Sequence, residues 1–236
     1  MKKIKSLLIT LALSMTGCAS TDSYNILYGA SVSKPQYLKK LLILPADIAI
    51  KESFAGNLLE DIPLWANTAD QAVMDELANT FGSELGVKTV KYQDINDTAT
   101  INEYLPLIKR VSQAVRMHSR GFGLWQHKME HFDYTIGNGL NALRHKEIDA
   151  ALYISGYQSV EAFRYDGSKD SVYSYRKADL SFGDLYLSLI LIDVNSGELL
   201  WTYFGTFSNV DSQNNSEVRT TLSQALVKFP SQMLNI

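Results

Sequence analysis

The stretch Leu185-Tyr-Leu-Ser-Leu-Ile-Leu-Ile-Asp-Val194, followed by Asn195-Ser-Gly197 and Leu199-Leu-Trp-Thr-Tyr-Phe204, decides the fold of this chain. Leucines occupy every second position from Leu185 to Leu191, which places them on one face of a β-strand. The alternate positions are also largely apolar, which is typical of a strand covered on both faces. Gly197 suits the positive φ of a tight turn. The sequence therefore predicts a β-hairpin in the middle of a covered sheet.

The first 17 residues have the parts of a secretory signal. Lys2, Lys3 and Lys5 supply a positive start, and an apolar run from Leu7 to Met15 follows. This run is too short to span a membrane as a helix. The sequence therefore predicts a signal peptide over 1–17.

The end of this signal, Met15-Thr16-Gly17-Cys18, resembles the lipobox of bacterial lipoproteins. In that family the signal is cut before the cysteine, which then carries acyl chains such as palmitate on its sulfur and its new N-terminus. The resemblance implies that Cys18 is lipidated. Ala19 stands where an aspartate would imply retention at the inner membrane, so it implies the outer membrane, with the protein facing the periplasm. The alternative is a secreted protein with a chance cysteine.

Composition narrows the classes of partner. Cys18 is the single cysteine, so no disulfide forms within the chain. Removing the three lysines of the signal changes the formal net charge from −3 to −6. This acidic balance argues against nucleic acid or an acidic membrane surface as the main partner. The length predicts a flexible tether over 18–37 and a single domain over 38–236.

The order of elements predicts an α/β fold in which one mixed parallel and antiparallel sheet is covered by helices. A buried strand begins the domain, and a long connection separates it from the first helix, for which Asn67 or Thr68 is the predicted cap. A second helix is predicted from Asn102 or Glu103, with Pro106 close to its first turn. In chain order the predicted elements are a strand at 38–45, a connection at 46–65, a helix to Gly86, strands at 87–92 and 148–157, the hairpin, and a helix at 214–233.

Three stretches resemble a known superfamily. They are Leu41–Pro45, Asp149–Gly156 and Leu191–Trp201, which are similar to parts of the periplasmic α/β domains of the TolB N-terminal, CsgG and LpoB kind. Many members of that superfamily are outer-membrane lipoproteins that secrete curli subunits through a ring, activate a cell-wall synthase, or serve transport and envelope integrity. The resemblance implies a non-catalytic binding or scaffold protein of a cell-envelope complex. A self-assembling ring component of a secretion system is the alternative.

The connection between the first strand and the first helix is the predicted partner-binding surface. Open α/β sheets tend to place sites after the carboxyl ends of their strands. This connection mixes acidic and aromatic side chains, which suits protein recognition. The alternative is that its apolar residues only cover the sheet edge. The predicted binding residues are Glu52, Phe54, Glu60 and Trp65.

One pattern supports an enzyme of another class. His127-Lys-Met-Glu-His131 resembles the H-x-x-E-H motif of inverzincin proteases, in which two histidines bind zinc and the glutamate, here Glu130, acts as the general base. On a helix His127 and His131 would share one face. The alternative is a solvated helix face, and this is the interpretation we adopt. Because phosphate-loop, dinucleotide and nucleophile-elbow motifs are missing from the sequence, we expect neither catalysis nor a cofactor.

Overall fold

The computed structural model describes residues 23–29, 38–53, 59–96, 98–119, 125, 127–128, 132–162 and 180–234. The strands are β1 Ser23–Tyr28, β2 Lys40–Ile43, β3 Asp47–Ser53, β4 Leu59–Asp61, β5 Lys88–Lys91, β6 Ala150–Ala162, β7 Leu180–Asp193 and β8 Leu199–Phe207, and the helices are α1 Pro63–Asn79, α2 Thr98–Ser119 and α3 Asn215–Leu226. These strands form one mixed eight-stranded sheet in the order β1-β8-β7-β6-β2-β5, with β3 paired to the C-terminal half of β6 and β4 paired to β3. The predicted α/β class is confirmed.

The predicted hairpin is β7 and β8. These strands pair antiparallel, with Leu189 opposite Tyr203 and Ile190 opposite Thr202. All four of these side chains are buried, because helices cover the sheet on both faces. Gly197 has a φ of 72° in the turn, and a Cβ there would overlap the carbonyl of Gly137. The hairpin therefore forms for the reasons that its sequence indicates.

Two hydrophobic layers enclose the sheet. On the first face α1 and α3 pack over Leu152, Leu189 and their neighbours. On the second face α2 and a 3₁₀ helix over Asn138–Lys146 pack over Ala151 and Ile190. Alternate residues of β6 and β7 serve opposite layers, which explains why both strands are apolar throughout.

The helix starts differ from the predictions. α1 begins at Pro63, four residues before the predicted cap Asn67, and no side chain caps it. Proline fixes a helical φ and lacks the N–H that a first turn leaves unpaired, so it can begin a helix by itself. α2 begins at Thr98 and contains Pro106 in its interior. The predicted end of the first helical segment is confirmed, since Gly86 follows a π-helical turn with a φ of 66°.

The predicted long connection over 46–65 is wrong. It contains β3 and β4, which pair antiparallel through Lys51 and Asp61. The 13-residue strand β6 extends beyond β2, and β3 runs parallel to this extension. Ile48 and Ile50 alternate into the core, while Lys51 stays outside and forms an ion pair with Asp61 at 3.2 Å. The alternation of apolar residues in β3 was not recognised from the sequence because charged residues occupy the open side of this strand.

The predicted tether over 18–37 is also wrong in part. Residues Ser23–Tyr28 form β1, an edge strand antiparallel to β8, with Ile26 opposite Tyr203. Leu27 is buried among the residues under α2. The other residues of the tether lie outside the described part, apart from Gly29, whose N–H donates to the carbonyl of Leu200 at 2.8 Å. The polar neighbours of this short strand made it resemble a linker.

The C-terminal helix is confirmed and is shorter than predicted. The Asn214 side chain accepts a hydrogen bond from the N–H of Ser216 at 3.1 Å and donates to Glu217 at 2.9 Å. The Asn214 side chain therefore caps the N-terminus of this helix. α3 ends at Leu226, and the chain passes through Pro230 into a single 3₁₀ turn over Ser231–Met233.

Candidate binding groove

Helix α2 crosses the sheet along a single row of residues. The strand pairings place Asp47, Ser155, Ser188, Phe204 and Asn25 side by side on five adjacent strands. α2 contacts this row at both ends and in the middle, and it therefore lies across the strands. The contacts are Lys109 to Asp47 at 2.6 Å, Ser112 to Ser188 at 3.2 Å, and the Ser119 carbonyl to the Asn25 amide at 3.0 Å.

The next row towards the start of β1 is left open beside the helix. It runs through Ala49, Tyr157, Tyr186, Thr206 and Ser23. Together with the flank of α2, this part of the sheet encloses a cleft of about 650 Å³, a volume typical of ligand pockets. We call this cleft the α2 groove. Its helix wall consists of Lys109, Ser112, Gln113, Arg116 and Met117, and its floor includes Asp47, Ala49, Ser155, Tyr157, Tyr186, Ser188 and Phe204.

The helix wall follows from spacing along α2. Lys109, Gln113 and Arg116 are four and three residues apart, so they lie on the same side of a helix with 3.6 residues per turn. Ile101, Ile108 and Val115 are the buried residues of the neighbouring stripe. One helix therefore presents an apolar stripe to the sheet and a polar, cationic flank to the groove.

One end of the groove is held by a charge network. Asp47 pairs with the Lys109 ammonium and accepts a hydrogen bond from the Tyr153 hydroxyl at 3.0 Å. Burial, and then the charge of Asp47, raise the pKa of Tyr153 above its usual range, so this hydroxyl remains a donor. Asp70 of α1 accepts the N–H of Ile48 at 3.0 Å, and burial raises its pKa to about 6. These contacts fix β3 between the two helices.

The other end of the groove carries the cation Arg116. Among the side chains that the structure describes, none forms an ion pair with Arg116. Met117 and Tyr186 are large, and 63% and 41% of their surfaces are exposed. Arginine, methionine and tyrosine are enriched in protein interfaces. This end therefore offers a cation, hydroxyl groups and apolar surface to a ligand.

A second exposed cluster lies on the opposite flank of α2. The ring of His118 stacks on Trp125 with centroids 3.9 Å apart, and its Nδ1 contacts the Tyr134 hydroxyl. Trp125 is 47% exposed. Because His118 is two residues after Arg116, it points about 200° away around the helix. This cluster is therefore not part of the α2 groove.

The structure describes the side chains of two of the predicted partner-binding residues, Glu52 and Trp65. Glu52 is only 8% exposed, so its carboxylate is not on an open face. Trp65 is partly buried and packs against the core under α1, in agreement with the alternative of a sheet cover. Glu60 belongs to β4, and its side chain is outside the described part, as are Phe54 and the lipidation candidate Cys18.

Of the three residues in the zinc alternative, the structure describes only His127. This side chain is exposed and stacks on Trp125 with centroids 5.8 Å apart. Glu130 and His131 lie outside the described residues. Among the described residues, no group of three His, Cys, Asp or Glu side chains is placed to hold a metal ion. The same part of the chain contains no helix long and apolar enough to cross a membrane.

Sequence reasoning missed the groove itself. The sequence shows two of its signals, the cationic flank of α2 and the paired tyrosines of β6 and β7. Neither signal has meaning until the strand register is known, because Tyr157 and Tyr186 meet only through the pairing of β6 with β7.

No protein-family model matches the chain, and no curated protein matches it in sequence. Two solved structures of PelC from Paraburkholderia phytofirmans, both dodecamers, show weak similarity. One, a point variant, is 14% identical over 91% of this chain and 99% of that chain, with a TM-score of 0.39. The other is 12% identical over 90% and 97%, with a TM-score of 0.36. Because both scores are below 0.5, these likenesses carry no argument about fold, assembly or function.

Proposed function

We propose that this protein is an outer-membrane lipoprotein that faces the periplasm and binds a protein of a cell-envelope complex without catalysing a reaction. The single observation that carries the binding role is the α2 groove, with its exposed Met117 and Tyr186 and with Arg116, which pairs with no carboxylate in the described part of the chain. The lipobox ending in Cys18 supports the anchor. Several acyl chains hold a protein to a bilayer far more firmly than one chain does.

In this proposal the protein is an accessory factor: it either activates a cell-wall synthase or takes part in secretion or transport. These roles need an exposed recognition surface and no cofactor. Interfaces concentrate binding energy in a few arginine and aromatic side chains surrounded by weaker contacts. Arg116 and Tyr186, on either side of the α2 groove, have this character.

Photocrosslinking in cells tests the binding role. A photoreactive residue replaces Tyr186 in the lipidated protein, and mass spectrometry identifies what it captures. Val227 is the control position, because it is 78% exposed at the end of α3, whose apolar residues pack on the other face of the sheet. We expect one envelope protein at position 186 and none at 227. Equal capture at the two positions would remove the groove as the binding site.

A separate experiment tests the anchor. Replacing Cys18 by Ser removes the sulfur that the acyl chain needs, so the protein should move from the membrane fraction to the soluble periplasm. If the Cys18→Ser protein stays with the outer membrane, the lipid anchor is not what localises it.

A self-assembling component is the second candidate, and the edge strand β1 favours it. The sequence Ser23-Tyr-Asn-Ile-Leu-Tyr28 contains no charge, whereas β5 at the opposite edge begins with Lys88 and ends with Lys91. Lysines on an edge strand oppose pairing with another chain, and β1 has no such protection. A photocrosslinker that replaces Tyr28 tests it. Capture of peptides from a second copy of the protein, together with a mass in sedimentation that rises with concentration, would establish this candidate.

A zinc hydrolase using His127, Glu130 and His131 stays a prediction, and stoichiometric zinc in the purified protein is its test.

A further inference from the structure

The strand register connects the α2 groove to the anchored end of the chain. Ser23, the first residue of β1, pairs with Thr206, which pairs with Tyr186, which pairs with Tyr157. These four residues form one row across adjacent strands. Since neighbouring strands are about 4.8 Å apart, Tyr186 lies about 10 Å and Tyr157 about 14 Å from Ser23. In this row, the groove-lining residue nearest to Ser23 is therefore Tyr186, two strands away.

The length of the segment before β1 limits the distance from that point to the bilayer. Ser23 is five residues after Cys18. An extended chain covers about 3.4 Å per residue, so this segment spans at most about 17 Å. Lipidation of Cys18, on which this inference rests, would then place the groove floor within about 30 Å of the membrane surface.

The groove is also on the anchored side of α2. The helix lies along the row that contains Asn25, and the open floor lies along the row that contains Ser23. β1 runs from Ser23 at the anchored end towards Tyr28 at the far end. The helix therefore forms the wall of the groove that is farther from Ser23, and the floor lies on the side of α2 nearer to Ser23.

The chemistry of the groove fits a short acidic peptide segment. The guanidinium of Arg116 can bind a carboxylate through two parallel hydrogen bonds, which is the geometry that arginine provides best. Hydroxyl groups of Tyr157, Tyr186 and Ser155 offer hydrogen bonds to peptide groups, and Met117 offers apolar contact. Lys109 contributes less, because Asp47 already neutralises it.

The acidic net charge of the protein makes proximity important. At −6 after removal of the signal, the whole chain repels an acidic partner at long range. A shared membrane surface compensates, because tethering raises the effective concentration of one binding element beside another. A diffusing acidic protein lacks this advantage.

We propose that the α2 groove binds an acidic peptide segment that its protein partner presents within about 30 Å of the bilayer. Arg116 binds the carboxylate of the segment, and Tyr186 and Met117 bind its apolar side chains. The short segment between Cys18 and Ser23 keeps the groove within reach of its ligand.

Lengthening that segment tests the membrane-proximal geometry. Twenty Gly and Ser residues are inserted between Asp22 and Ser23, and the photocrosslinker is kept at Tyr186. Effective concentration falls with roughly the 3/2 power of tether length, so the capture yield should fall about tenfold. The same insertion after the last residue, Ile236, is the control and should leave the yield unchanged. An unchanged yield with the insertion before Ser23 would overturn the proposal.

Charge reversal tests the chemistry of the ligand. Arg116→Glu should reduce the yield at position 186 more than tenfold, whereas Arg116→Lys should retain part of it. Arg219→Glu is the matched control, because Arg219 is exposed on α3, does not line the groove and undergoes the same change of charge. Equal yields for Arg116→Glu and Arg219→Glu would overturn the acidic ligand.

The identity of the captured molecule separates this inference from the proposed function. Capture of lipid alone would overturn the peptide ligand and indicate the bilayer as the occupant. Capture of a second copy would overturn it in favour of self-association. If the protein with its native segment captures nothing at position 186, the proposed function itself fails.

Discussion

Two cations on one flank of α2 illustrate how single residues acquire different roles. Lys109 and Arg116 are seven residues apart, and among the described side chains Lys109 pairs with a carboxylate, that of Asp47, whereas Arg116 forms no ion pair. The ion pair at Lys109 holds the helix on β3. Arg116 is therefore the residue to which we assign the recognition of an anionic group in the proposed function.

Asp70 gives a residue-scale prediction about pH. Its pKa is raised from 3.8 to about 6 because burial disfavours the charged form, with a smaller contribution from Asp47 and an opposing hydrogen bond from Ile48. Between these two pH values the folded protein binds more protons at Asp70 than the unfolded chain does. The contribution of Asp70 to stability is therefore fully present below pH 3.8 and is lost as the pH rises through about 6.

Asp70→Asn should remove this loss, because asparagine keeps the oxygen that accepts the Ile48 N–H and cannot ionise. The measurement is urea unfolding of soluble Cys18→Ser protein at pH 4, 5, 6 and 7.5. We expect the variant to gain stability relative to its parent as the pH rises to 7. Parallel pH profiles for the two proteins would show that Asp70 is ionised normally.

At the scale of elements, the spacing of apolar residues predicts a strand or helix where burial requires apolar side chains at regular intervals. It does not predict an element where polar residues interrupt that spacing. β6, β7 and β8 were predictable because helices cover them on both faces and their apolar runs are long. α2 was predictable from Ile108 and Val115, although its first residue was not. β1 and β3 were missed because polar residues interrupt their apolar patterns: Lys51 of β3 lies outside the core, and Asn25 of the edge strand β1 bonds to the Ser119 carbonyl of α2.

β1 gives a prediction that separates a strand from a tether. Leu27 is buried under α2, and removing a buried leucine side chain costs both its transfer energy and a cavity. Leu27→Ala should therefore lower the free energy of unfolding by about 2 kcal/mol, at the lower end of the range because β1 is an edge strand. Chemical denaturation measures this. No loss of stability would mean that residues 23–28 behave as the flexible linker that the sequence predicts.

The cap of α3 gives a second prediction at this scale. Asn214 satisfies the N–H of Ser216, which otherwise has no partner within the helix. Asn214→Ala should lower the free energy of unfolding by about 1 kcal/mol, and Asn214→Ser, which keeps a capping oxygen, should lower it less. The same denaturation experiment compares them. Equal losses for the two variants would show that the cap contributes nothing.

At the scale of the whole molecule, the α2 groove exists only because distant segments meet. Its residues come from β3, α2, β6, β7 and β8, and β1 continues the same rows of paired residues across the sheet. The predicted binding surface was placed between the first strand and the first helix, as is usual for α/β folds. Here that region forms β3 and β4, which extend the sheet. The row through Ala49, Tyr157 and Tyr186 then lies beside α2 as the floor of the groove. No local pattern could have located the groove, since its position depends on the register of five strands.

Filling the groove tests the central claim most directly. Ser155→Trp places a large side chain on the half-buried floor, and Val227→Trp adds the same side chain to an exposed position that does not line the groove. Each lipidated variant is purified from membranes, its stability is measured, and the co-purifying envelope protein is quantified. We predict at least a tenfold loss of the partner for Ser155→Trp and no loss for Val227→Trp. A folded Ser155→Trp protein that retains its partner in full would contradict the assignment of the α2 groove as the binding site.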